Sequence, residues 1–254
     1  FFDDDLKFLN RVHNSENALQ SINSVQDIGF ENITIDLIYG IPNLSASEWE
    51  KNLMQAVKLN PQHISAYCLT IEKQTVLGHR FDKGEMKAID DDQASEQFLF
   101  MRDFLSKNGY IQYEVSNFSK VSYESKHNTS YWQGKKYLGV GPSAHSFNGT
   151  ERRWNISNNA KYIKGIEEGK DYFEEETLTE SNRINEKIMI SLRTVKGLNL
   201  DEFIQLFGEE IKDELLLSAQ KHLQTGNLSI ENEFLKATPK GLLLIDAICS
   251  DLFS

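Results

Sequence analysis

The sequence predicts an α/β chain, with part of a parallel barrel in its N-terminal half and a mostly helical, winged-helix-like C-terminal region. Three observations carry this. Up to residue 118, short apolar runs alternate with amphipathic segments, as strands alternate with helices. From 119 to 159 the helical period is lost in a stretch rich in Gly, Ser, Asn and aromatics. Beyond residue 160, segments of helical period separated by Gly197, Gly208 and Gly226 precede two short β-like runs and a last helix. The strands are too few for a complete eightfold barrel, which takes about 250 residues. The expected division is 1–118 for the partial barrel, 119–175 for a connecting region of loops and short strands, and 176–254 for the helical region.

Ser15 to Ile28 reads as an amphipathic helix, with Leu19, Ile22, Val25 and Ile28 at helical spacing and Gly29 ending it. Ile33 to Tyr39 is apolar almost throughout, as a parallel strand buried on both faces would be. Alternation places Thr34, Asp36 and Ile38 on one face and Ile35, Leu37 and Tyr39 on the other. Ser45 and Glu48 have the spacing of a capping box for a helix whose inner stripe is Trp49, Leu53 and Val57, with Pro61 at its end. His63 to Ile71 is a second strand. Gln93 to Asn108 is a helix with Phe98, Met101 and Leu105 inward, and Tyr110 to Phe118 is a third strand. In the C-terminal region, helices are expected over 160–165, 181–194, 200–207 and 209–225. Extended runs follow at 227–230 and 234–237. Thr238-Pro239 then opens a last helix to Leu252, with Thr at the cap and Pro in the first turn.

Composition narrows the function classes. The formal net charge of −11 opposes phosphate backbones, and no basic patch offsets it, so nucleic acid is not an expected partner. No apolar run has the roughly 18 residues that cross a bilayer. The acidic start, Phe-Phe-Asp-Asp-Asp, is unlike a signal peptide. The two cysteines, Cys68 and Cys249, are far apart and form no CxxC pair, which fits a reducing cytoplasm. Each is expected to be a small buried hydrophobe. The chain opens on Phe1 rather than Met and is read as a piece of a longer protein.

Asp36 is the first residue with chemical content. A carboxylate inside a buried strand costs several kcal/mol unless it is paired or bound to ligand hydroxyls. Gly40 and Pro42 end that strand sharply at its carboxyl edge, where α/β proteins bind ligands. Further motifs follow in order: Leu-Asn-Arg-Val-His at 9–13, Ile-Asp-Leu-Ile-Tyr-Gly-Ile-Pro at 35–42, Ile-Ser-Ala-Tyr-Cys-Leu-Thr-Ile-Glu at 64–72, His-Asn-Thr-Ser-Tyr-Trp at 127–132, Tyr-Leu-Gly-Val-Gly-Pro-Ser-Ala-His-Ser-Phe at 137–147, and Thr-Pro-Lys-Gly-Leu-Leu-Leu-Ile-Asp at 238–246. Together they resemble the oxygen-independent coproporphyrinogen III oxidase family of radical-SAM proteins over nearly the whole chain. The HNxxYW pattern at 127–132 points to the heme-chaperone branch, HemW, more than to the true oxidases.

The resemblance implies a partial radical-SAM, TIM-like barrel and a role in porphyrin and heme metabolism. It implies S-adenosylmethionine contacts at Arg11, Asp36, Ile38 and Thr70, with Asp36 accepting from the ribose hydroxyls. It places a heme site at His127, Asn128, Tyr131 and Trp132, where an imidazole can ligate iron and the aromatic rings can stack on the macrocycle. His145 is an equal rival for the iron. The family's [4Fe–4S] cluster needs a CxxxCxxC loop, which this sequence does not contain. No catalytic residue and no metal ligand is therefore assigned, and the chain alone is not expected to cleave S-adenosylmethionine. The implied partners are a tetrapyrrole (coproporphyrinogen III or heme) and a protein that receives heme. Self-association through the open edge of the first strand is also expected. Two readings compete with an oxidase-like protein: a heme chaperone, and a docking or winged-helix interaction module. For the last, the expected recognition helix at 209–225 carries Glu209, Glu210, Asp213 and Glu214, the wrong sign for phosphate contacts.

Overall fold

The alternation of apolar strand and amphipathic helix is realised in a computed structural model that describes residues 1–254 as two units, Phe1–Ser125 and Lys126–Ser254. The first unit runs α1 (Asp3–Phe8), α2 (Ser15–Asp27), β1 (Thr34–Tyr39), α3 (Ala46–Leu59), β2 (His63–Cys68), α4 (Val76–Asp82), α5 (Asp91–Lys107), β3 (Ile111–Glu114) and β4 (Asn117–Ser119). Its sheet has the order β1-β2-β4-β3. β1 and β2 are parallel, with Asp36 beside Ser65.

The expected single strand Tyr110–Phe118 is instead a hairpin, and β4 runs antiparallel to β2. Gly109, at φ +84°, ends α5 and turns the chain into β3. The purely parallel sheet expected from the pattern is thus a mixed one. Sequence periodicity could not reveal the reversal, because the turn at Val115-Ser116 has none of the Gly or Pro that marks hairpins.

One face of this sheet is covered by α3 and α5. Trp49, Leu53 and Ala56 from α3 and Phe98, Met101 and Leu105 from α5 are fully buried there with Leu37, Ile64, Ala66 and Phe118. The capping box of α3 is present, Ser45 accepting from the Glu48 amide and Glu48 accepting from the Ser45 amide. The other face differs from expectation. β1 is not buried on both sides: Ile35, Leu37 and Tyr39 are buried, whereas Thr34 and Asp36 are exposed and Ile38 is half-buried. β1 is an edge strand of this sheet. The apolar stripe of α2 has no buried residue, and Ile28 is 75% exposed.

The second unit runs α6 (Lys126–Trp132), β5 (His145–Phe147), β6 (Glu151–Asn155), α7 (Asn159–Glu168), β7 (Phe173–Thr177), α8 (Glu180–Leu192), β8 (Leu198–Asn199), α9 (Leu200–Phe207), α10 (Glu209–Gln224), β9 (Leu228–Glu231), β10 (Phe234–Ala237), α11 (Pro239–Leu242) and α12 (Ile245–Leu252). β5, β6 and β7 form an antiparallel meander, and β8-β10-β9 is a second small sheet. Ile188, Leu192, Phe203, Ala219, Leu235 and Ile248 are the centre of the core among α8 to α12. Two expectations change here. The stretch 119–159 contains the helix α6, and the last helix is two helices. Thr238 caps the first, and the break falls at Leu243-Leu244, where Leu244 leaves helical geometry. His222 of α10 is buried and lies 3.0 Å from Asp251 of α12, tying these helices together.

Candidate functional site

In the first unit the chain closes a cavity of about 280 Å³ at the carboxyl end of β1. Its floor comes from β1, where alternation aims Asp36 and Ile38 away from the α3/α5 core. Its rim comes from the loop between α1 and α2, which carries Arg11 and His13. The Ser15 amide donates to Asp3 Oδ1 at 2.8 Å, which closes that loop and holds the Asp3 carboxyl below its ordinary range. Asp5 lines the cavity too, and burial lifts its carboxyl above the ordinary range. Arg11, Asp36 and Ile38 therefore line one cavity.

The turn that follows β1 is fixed from an unexpected direction. Gln97 of α5 accepts from the Gly40 amide at 2.8 Å and donates to the Leu44 carbonyl at 2.9 Å, while Gln93 donates to the same carbonyl at 2.7 Å. The Trp49 indole N–H donates to the Gln97 carbonyl at 3.0 Å. Gly40 has φ +73°, and a Cβ there would sit 3.1 Å from Cys68 Sγ, so this turn favours glycine on both counts. Sequence reading missed Gln93 and Gln97. Their signal is two polar residues four apart, on the helix face that also carries buried Ala94, Phe98 and Met101.

Three assignments from sequence need correction. Asp36 is exposed rather than buried, because nothing in this chain covers that face of β1, so its carboxylate carries no burial penalty to offset. Thr70 does not belong to β2, which ends at Cys68, and it does not line the cavity. Cys68 is exposed rather than a buried hydrophobe, although partial burial raises its thiol above the ordinary range. Cys249 is buried, as expected, and burial pushes its thiol up to about 11.

On the inner face of the same sheet lies a polar network that carried no sequence signal. His63 Nδ1 is 2.7 Å from Thr34 Oγ1 and its Nε2 is 2.8 Å from the Tyr113 hydroxyl, so one imidazole joins β1 to β3. Burial lowers the His63 pKa, and the Asp36 charge partly opposes that. Glu114 is 1% exposed and accepts from the Ser116 amide at 3.0 Å and from the Asn117 side chain.

The second unit places the HNxxYW residues on α6. His127 and Tyr131, four residues apart, share an exposed face, with ring centroids 4.9 Å apart and edge to face. The aromatic series continues from Tyr131 to Tyr137 at 4.9 Å and from Tyr137 to Phe147 at 6.0 Å. Asn128 and Trp132 occupy the neighbouring, partly buried face, and the Trp132 indole N–H and Thr129 hydroxyl are buried without a partner. His145 lies on β5, exposed, with its ring 6.4 Å from Trp154. Both candidate iron ligands are thus accessible imidazoles.

Comparison with known proteins relates the chain to the HemN and HemW proteins. The family model of the HemN C-terminal domain matches residues 178–244. The chain is 32% identical over 234 residues to the heme chaperone HemW of Bacillus subtilis, covering 92% of this chain and 62% of that protein. It is 32% identical over 216 residues to HemW of Lactococcus lactis, covering 82% and 57%. Over most of its length the chain is thus similar to HemW proteins, and residues 178–244 match the HemN C-terminal domain. A zebrafish relative, the mitochondrial radical S-adenosyl methionine domain-containing protein 1, is 28% identical across 96% of this chain and 58% of its own. The solved structure of coproporphyrinogen III oxidase (HemN) from Escherichia coli, a radical SAM enzyme, superposes with a TM-score of 0.80 at 21% identity. It covers all of this chain and 62% of that one, and it establishes a common α/β fold. The chain spans about three-fifths of the length of these family members.

The residues present suit one implied group and not another. An acceptor-only carboxylate, Asp36, faces a cavity beside a guanidinium and an apolar side chain, a set suited to the ribose and base of an adenosyl cofactor. An iron–sulfur cluster requires thiolates. The two cysteines lie in different units, and no three His, Cys, Asp or Glu residues gather as a metal site. The chain's own residues therefore do not form a cluster cradle. No helix is long and apolar enough to cross a membrane.

Proposed function

We propose that this chain is the tetrapyrrole-handling portion of a radical-SAM protein of the heme-chaperone type, acting in the cytoplasm. It holds heme as cargo through α6 and passes it to a recipient protein. The observation that carries this reading is the exposed pair His127 and Tyr131, set edge to face at 4.9 Å on one side of α6 and backed by Tyr137 and Phe147. An accessible imidazole is a good axial ligand for heme iron, and ring faces beside it can lie against the flat macrocycle. Asn128 and Trp132 complete the segment from its partly buried face. In this reading Arg11, Asp36 and Ile38 hold S-adenosylmethionine in the longer protein. Bound there and reduced by an electron from the longer protein's cluster, the cofactor would supply 5′-deoxyadenosyl radical chemistry. This chain's part is to bind and orient it, with Asp36 accepting from the ribose hydroxyls and Ile38 packing on the adenine.

The finer architecture belongs to the same reading. Residues 1–118 are taken as a partial radical-SAM barrel, 119–175 as the connecting region with the heme motif, and 176–254 as a winged-helix-like domain. Matching of the family's C-terminal domain to 178–244 supports the last boundary. The wing-like hairpin β9–β10 follows α10, whose Lys212 is already engaged by Asp213 at 2.7 Å and Glu209 at 3.7 Å, an arrangement suited to protein rather than nucleic-acid contact.

A second reading, oxidative decarboxylation of coproporphyrinogen III by the longer protein, is favoured by the Asp36 cavity at the strand ends. Heme titration of the purified chain separates the two. The expected result is a Soret band that weakens or shifts in His127→Ala and stays unchanged in His145→Ala. The reverse pattern moves the iron to His145, and no band in the unaltered chain removes the chaperone reading.

A further inference from the structure

Beside the Asp36 cavity the first unit has a second one, of about 360 Å³. It opens under the same turn: Ile41 lines the first cavity and Pro42 and Asn43 the second, while Leu9 and Phe8 divide in the same way. Its charged groups are Arg80, Lys87 and Glu85. Arg80 is half-buried, with its guanidinium 5.3 Å above the Phe8 ring, and its hydrogen bond is a long one to the Phe8 carbonyl at 3.5 Å. The ion pairs of this unit are Lys7–Asp4 and Lys107–Asp103, so neither Arg80 nor Lys87 has a carboxylate partner. In this cavity the two cations outnumber the single carboxylate, Glu85, in a chain that is acidic as a whole. A guanidinium stacked on a ring presents its N–H fork in one plane, the geometry that binds carboxylates in bidentate fashion.

We propose that this second cavity is a carboxylate subsite, in which Arg80, assisted by Lys87, binds a propionate side chain of a tetrapyrrole. The ligand class rests on the second reading above, which places coproporphyrinogen III at the Asp36 cavity. The carboxylate chemistry rests on Arg80 and Lys87 alone. The subsite lies at the carboxyl end of β1, next to the Asp36 cavity, so a propionate held there sits beside the adenosyl site within one unit.

The test titrates the purified chain with coproporphyrin III and with its methyl ester, which keeps the ring and removes the charges. Fluorescence reads affinity, and the Arg80 Nε–H resonance reads location. The free acid is expected to move the Arg80 resonance and the ester to leave it in place. Arg80→Gln should weaken binding of the acid about ten- to hundredfold, the range of a charged hydrogen bond. Lys87→Gln, at an exposed position, should weaken it less, and Glu85→Gln should strengthen it; none should alter binding of the ester. If the acid binds while Arg80 stays silent and Arg80→Gln has no effect, this subsite is wrong and the tetrapyrrole reading stands. Equal weakening of acid and ester overturns the subsite as well. If Arg80 responds to free propionate but no porphyrin binds, the carboxylate site stands and the tetrapyrrole reading falls. Inorganic phosphate binding as tightly as the porphyrin acid would make it a general anion site and overturn the propionate assignment.

Discussion

Replacing Asp36 with Asn tests the adenosyl site with little confounding from stability. Asp36 is exposed on β1 and no hydrogen bond of the fold depends on its side chain, so the substitution should change stability by about 0.5 kcal/mol or less. Its effect on binding should be much larger. The carboxylate can accept from both ribose hydroxyls, whereas the amide offers one acceptor oxygen and a mismatched donor. Hydrogen bonds to a charged group contribute about 1.5–3 kcal/mol, so losing one should weaken binding about 10- to 150-fold. Calorimetry with S-adenosylhomocysteine on the parent and Asp36→Asn chains measures this directly. Repeating it with 2′,3′-dideoxyadenosine against adenosine closes the cycle, because a ligand without the hydroxyls should not sense the substitution. Equal affinities for adenosine in the two chains, or an equal loss with the dideoxy ligand, would refute the ribose assignment. A drop in melting temperature of Asp36→Asn would show instead that the residue supports the fold.

Other consequences can be measured on the same chain. His63 has its pKa lowered by burial from the ordinary 6.5, so the folded state binds fewer protons than the unfolded state just below that value. Stability should therefore be fully present above pH 6.5 and decline as pH falls toward the depressed folded pKa; urea midpoints across this window should lose that slope in His63→Gln, and an unchanged slope would locate it elsewhere. Gly241→Ala should lower the urea midpoint by the equivalent of about 1–3 kcal/mol or more, since the new Cβ would lie 1.9 Å from the Asn227 carbonyl oxygen, with backbone on both sides of the clash; wild-type stability would contradict the close approach of α11 to the Asn227 backbone. β1 is an edge strand with an exposed inner face, so light scattering should show mass rising with concentration, and a constant monomer mass over a wide range would argue against edge pairing.

What the sequence revealed and what it hid follow one physical divide. Local signals held. The Ser45–Glu48 cap, the Phe98-Met101-Leu105 stripe, the Thr238-Pro239 start and the boundaries of Leu200–Phe207 are properties of a few consecutive residues, and each lies where periodicity puts it. The HNxxYW motif was legible as a string but not as a helix, because α6 is short and its residues weigh ring stacking above helical amphipathicity. The reversal into β3–β4 was invisible, since a two-residue turn without Gly or Pro looks like continuous strand. Burial of Asp36 was misjudged for a related reason: the apolar character of Ile35, Leu37 and Ile38 says that a strand can be buried, while neighbours distant in sequence decide which of its faces is.

The parts that sequence reading missed are polar groups acting at a distance, and they bear most directly on function. Gln93 and Gln97 are 49 to 57 residues from the turn they fix, and His63 joins strands that are 29 and 50 residues away. Each uses a side chain that composition would assign to the surface. Their common effect is to hold β1 and the turn after it, the segment bordering both the Asp36 cavity and the Arg80 cavity. A ligand site with a carboxylate acceptor in one compartment and an unpaired guanidinium in the next works only if the separating turn keeps its place. The glutamine pair on α5 holds that turn from the buried side, away from the two cavities that Asp36 and Arg80 line.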